Sequence, residues 1–83
     1  MNASESTFVG IDVSKDTLEI ALDDQSKTQC IANADADIAA LVKELVPRSE
    51  EIGAIVLEAT GGFERQVAAA LAAAHYMQLA YAS

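Results

Sequence analysis

Residues 8–16, Phe-Val-Gly-Ile-Asp-Val-Ser-Lys-Asp, limit what this chain can fold into more than any other stretch. An apolar run reaches a carboxylate at Asp12 and breaks at once into a polar turn. In an extended strand side chains alternate, so Val9, Ile11 and Val13 share one side and Phe8, Gly10 and Asp12 the other. A carboxylate near the end of a strand buried on both faces is costly unless a hydrogen bond or a metal ion compensates it. Asp12 as a cap of the turn through Ser14 and Lys15 is the plainer reading, and both stand on residue types alone.

The rest of the chain supplies strands and helices around that stretch. Residues 1–7 are expected to be a disordered start. Thr17 to Asp23 alternates Leu18, Ile20 and Leu22 against Thr17, Glu19 and Ala21, which predicts a half-buried antiparallel strand. Lys27 to Ala32 is more polar and predicts an edge strand. Asn33 or Asp35 is expected to cap a helix with Ile38, Leu41, Val42 and Leu45 on its apolar face, ended near Val46 by Pro47. Arg48 to Gly53 reads as a polar linker. Ala54 to Leu57 is a short apolar strand of the kind buried on both faces of a parallel sheet, with Glu58 at its carboxyl end.

After the turn Ala59-Thr60-Gly61-Gly62, a second helix is expected from Phe63 to Ala74. Phe63, Val67, Ala70, Leu71 and Ala74 should form its inner face. His75 to Ser83 reads as a weak strand. The fold class is therefore α/β: a mixed sheet in the order β-β-β-α-β-α with a weak fifth strand and helices mainly on one face. With the first and fourth strands adjacent, the reverse face carries apolar side chains that nothing in the chain covers. Exposed contiguous apolar surface usually marks an interface, so a homodimer through that face or a sheet edge is one expectation.

Charge narrows the function classes. Five basic residues stand against thirteen acidic ones, a net charge of −8. The basic residues form no stripe, so the chain alone is expected to bind nucleic acid weakly. No apolar run approaches the roughly 20 residues that span a bilayer, and the start shows no secretory signal; a cytoplasmic protein with no membrane partner is expected. The single cysteine, Cys30, allows no internal disulfide and is expected to be a buried strand residue.

Parallel neighbours end on the same side of a sheet, so Asp12 and Glu58 should meet at its carboxyl edge, where open α/β sheets usually place ligands. Two adjacent carboxylates repel and take up a proton unless a cation lies between them. Magnesium suits such a pair, since it prefers oxygen ligands and completes its shell with water and phosphate. Turn and cap roles remain the alternative for both residues. For Asp16 and Asp23 a turn role, and for Glu64 a place in the first turn of a helix, stand against service as extra ligands. His75 reads as a partner of a helix carboxyl terminus.

Phe8-Val9-Gly10-Ile11-Asp12-Val13-Ser14-Lys15, followed by Ile55-Val56-Leu57-Glu58-Ala59-Thr60-Gly61-Gly62-Phe63-Glu64-Arg65, resembles the amino-terminal domain of the DEDD-type transposases of bacterial insertion sequences. These are relatives of the pilin-gene inverting recombinases. The resemblance covers residues 8–74 and implies a ribonuclease-H-like fold related to Holliday-junction resolvases. It implies that Asp12 and Glu58 bind Mg2+ or Mn2+, weakly in this chain, for phosphodiester cleavage and strand transfer. It implies DNA as the partner of the full-length protein, with a guide RNA in some relatives. Gly61 and Gly62 are candidate phosphate contacts through their backbone N–H groups, with the turn itself as the simpler role.

The family's two further aspartates and its serine-bearing carboxy-terminal domain have no counterpart here. On this resemblance residues 8–83 are expected to be a partial nuclease domain lacking its carboxy-terminal part, inactive alone. A non-catalytic, self-associating remnant is the alternative. An actin-like ATPase lobe, which also opens on a strand ending in Gly-Ile-Asp, is a third reading, weakened because Val13-Ser14-Lys15-Asp16 supplies no phosphate-loop glycine.

Overall fold

A computed structural model describes residues 7–22, 26–48, 50–59, 61–74 and 79–82, the last four as backbone. The alternating apolar pattern builds β1 (Thr7–Val13) and β2 (Thr17–Leu22), an antiparallel hairpin in which Val9 faces Leu22 and Val13 faces Leu18. Its turn is closed by Ser14, whose N–H and Oγ both donate to the Thr17 carbonyl at 3.0 Å. β3 (Gln29–Ala32) adds antiparallel to β2 and is shorter than the expected strand from Lys27.

β4 (Ile52–Ala59) runs parallel to β1 and begins inside what reads as linker sequence. Glu50, Glu51 and Gly53 disguise its start, but Ile52 is buried. Thr7 pairs with Ile52 and Phe8 with Ala54, which leaves Gly53 as an extra residue at a register shift. Thr7 itself donates its N–H to the Glu51 carbonyl at 2.7 Å and is buried, so it belongs to the sheet and not to the expected disordered start. β5 (Leu79–Ala82) pairs parallel to β4, giving a five-stranded mixed sheet in the order β3-β2-β1-β4-β5.

Both helices, α1 (Asp35–Leu45) and α2 (Arg65–Ala73), lie on one face of this sheet. Their 3.6-residue stripes, Ile38, Leu41 and Leu45 on α1 and Val67 and Leu71 on α2, join Val9, Ile11, Val13, Leu18, Ile20, Ile55 and Leu57 in one core. The Gln66 amide donates to the Asp35 carboxylate and ties the two helix starts together. Pro47 ends α1 as expected, and the chain leaves through one 3-10 turn at Val46–Arg48.

Three local expectations are overturned. The N-cap of α1 is Ala34, with no side-chain cap, because Asn33 is committed elsewhere. Phe63 does not join the inner face of α2. It lies in the preceding turn, 42% exposed, where Gly61 and Gly62 adopt φ of +85° and +82° and carry the chain outward. Cys30 is exposed rather than buried, because its strand is the sheet edge and its register position falls on the face away from the helices. Among the described residues no helix is long and apolar enough to cross a membrane. Asp23 and His75 lie outside the described residues.

Candidate functional site

The strand register decides which polar groups meet. Asp12 and Glu58 are direct partners across the parallel β1–β4 pair, each one residue before its strand ends. Neighbouring strands lie about 4.8 Å apart, so the two side chains leave the sheet next to each other on the same face. On the other side of Asp12 its antiparallel partner is Glu19, and Glu19 in turn faces Cys30. All four side chains are exposed, on the face opposite the helices. A row Cys30, Glu19, Asp12, Glu58 thus crosses four strands at one level.

Glu19 is the member that sequence reasoning missed. The signal was available: a hairpin that pairs Val13 with Leu18 necessarily pairs Asp12 with Glu19. Its carboxylate is held toward the outer edge, accepting a hydrogen bond from the Thr28 hydroxyl at 3.1 Å. Asp12 therefore has a like charge on each flank, an arrangement that weakens a sheet unless something compensates it.

Above this row the open face sinks into a depression of about 360 Å³. Gly10, Ala21 and Val56 contribute to its lining together with Asp12, Glu19, Thr28 and Glu58. A side chain at Gly10 would meet nothing within 4 Å, so this glycine keeps the floor low rather than relieving a backbone contact.

These residues fit a hydrated, oxygen-seeking divalent cation in part. Asp12 and Glu58 offer adjacent carboxylates, and the depression leaves room for water and a phosphate group beside them. Among the described residues no group of three His, Cys, Asp or Glu side chains converges as a metal cage. The remaining coordination sites of such an ion would fall to water or substrate.

The other expected ligands are not brought in. Asp16 is an exposed turn residue whose carbonyl accepts the Asn33 N–H at 2.9 Å. Glu64 is the N-cap of α2, without a side-chain cap bond. Gly61 and Gly62 are exposed and precede Glu64, so their N–H groups stand ahead of the helix rather than in its first turn. A search of family models finds none that matches this chain, and no curated protein matches it.

Proposed function

We propose that this chain is the metal-binding part of the nuclease domain of a DEDD-type transposase, a ribonuclease-H-like domain acting on DNA phosphodiesters together with carboxylates from elsewhere. The observation that carries this reading is the direct register pairing of Asp12 and Glu58 near the carboxyl ends of two parallel strands at the centre of the sheet. The strand order and the two helices on one face agree with it.

In this reading Asp12 and Glu58 concentrate negative charge at one point of the open face and draw a Mg2+ or Mn2+ ion there. The bound cation would activate the attacking oxygen and stabilise the leaving one. The depression beside the pair admits a phosphate with its water. Glu19, bonded to Thr28, adds to the negative field of the same depression. With two ligands from this chain, binding is weak and turnover by the chain alone is not expected.

The test is a titration of Mg2+ and Mn2+ against thermal stability in the intact chain and in Asp12→Asn. A metal-dependent rise in Tm that disappears in the variant supports the site; a rise that survives it removes Asp12 from the metal's ligands and the proposal with it.

A second reading, self-association through the open face, draws on Phe8, which is 53% exposed there. The acidic row opposes it, since each copy would bring Glu19, Asp12 and Glu58 to the contact. A molar mass by light scattering that stays at 8.7 kDa across concentrations would exclude it.

A further inference from the structure

The ladder that holds Asp12 beside Glu58 stops one residue later, at Val13 and Ala59. Beyond it the two chains part, β1 into the hairpin turn and β4 into the glycine turn. The Asn33 side chain bridges this gap. Its Nδ2 donates to the Ser14 carbonyl at 2.9 Å and to the Phe63 carbonyl at 3.3 Å. Ser14 follows Asp12 by two residues and Phe63 follows Glu58 by five. The Asn33 backbone N–H adds a third tie, to the Asp16 carbonyl at 2.9 Å.

We propose that Asn33 is the positioning residue of the candidate site, one amide that clamps the two loops leaving β1 and β4 and so fixes the separation of the Asp12 and Glu58 carboxylates. The proposal rests on the reading of those two as metal ligands. Three features carry it. Both hydrogens of Nδ2 are used, one on each loop, so a single amide links the two. The amide orientation follows from its partners, since both are carbonyl oxygens and can only accept. The side chain is not spent on the helix that follows, since the N-cap of α1 is Ala34 and no side chain caps it.

A ligand pair needs such a brace because parallel strands alone do not hold their ends. Backbone groups past the last ladder bond fray, and carboxylates of like charge push their strands apart there. Groups that orient metal ligands from outside typically change affinity by roughly 10–100-fold when removed.

The test compares the 83-residue chain with Asn33→Leu, which keeps the branched outline and loses both donors, and Asn33→Ala. Val67→Ala serves as a control destabilised in the helix layer. Amide hydrogen exchange by NMR is read at Ser14, whose N–H is bonded within the turn, relative to the slowest core amides. Mn2+ binding is read by electron paramagnetic resonance. In the Asn33 variants, Ser14 is expected to exchange about tenfold faster relative to the core. Mn2+ should bind about tenfold more weakly. The control should move neither ratio.

Parental Mn2+ affinity in a folded Asn33→Leu or Asn33→Ala chain overturns the positioning role, as does a Ser14 exchange ratio that stays parental. If the parent chain itself holds no Mn2+ at Asp12 and Glu58, the metal reading fails separately. The exchange ratio then still decides whether Asn33 braces the two loops.

Discussion

On the helix-covered face, Val9, Ile11, Leu18, Ile20, Ile55 and Leu57 are removed from solvent, each no more than 1% exposed. On the reverse face the same strands carry Phe8, Gly10, Asp12, Glu19, Val56 and Glu58, all half-buried or exposed. One set of backbone hydrogen bonds serves both. The covered side is where folding free energy comes from, since burial of apolar area is the dominant favourable contribution in a chain this small. The open side contributes little cohesion and gathers like charges. The two faces thus differ in kind, one a packed apolar layer and the other an open surface that carries the charge.

That contrast can be broken most directly at neighbouring residues of β4. Leu57→Ala, on the covered face, is expected to cost about 2–5 kcal/mol in urea unfolding. Val56→Ala, half-buried on the open face, is expected to cost under about 1 kcal/mol. Equal losses would mean that the open face is packed after all. Next in size is Gly61→Ala, at the turn that turns Phe63 outward. A side chain there would need φ of +85° and would sit 2.9 Å from the Phe63 ring. A loss of about 1–3 kcal/mol with altered NMR shifts of the Phe63 ring protons is expected.

Asp12→Asn should move stability the other way. Removing the middle of three neighbouring acids is expected to raise the metal-free chain by about 0.2–1 kcal/mol, a gain that shrinks as salt is added. A loss would show that the Asp12 carboxylate stabilises the metal-free fold. The smallest effect belongs to Gly10→Ala. Its added methyl enters open space, and the lower entropy of the unfolded chain should give a gain of about 0.5 kcal/mol in thermal unfolding.

Much of this was legible in the sequence because period-two alternation speaks plainly where one face is buried. Phe8 to Val13 and Thr17 to Leu22 announce both their strands and their faces. The meeting of Asp12 with Glu58 followed from two apolar runs that each reach an acid at the same depth. Where competing local rules applied, the reading failed. Ile52 is a single apolar residue between Glu51 and Gly53, and only its pairing with Thr7 makes it a strand residue. Asn33 has the composition of a helix cap, but two distant carbonyls compete for its amide and win. Phe63 has the right spacing for the core stripe of α2, yet two left-handed glycines take it away. Cys30 is small and apolar enough for a core. Its exposure depends on an alternation phase that a four-residue edge strand hardly displays.

The place of Cys30 has a practical consequence. It is the chain's single thiol, and it sits at the far end of the row that runs through Glu19 and Asp12 to Glu58. A nitroxide attached there would need no engineered cysteine and would lie on the open face itself. Dipolar broadening between that label and a bound Mn2+ would give the ion's distance along the row, and quenching of a fluorophore on the same sulfur would report whatever comes to cover the face.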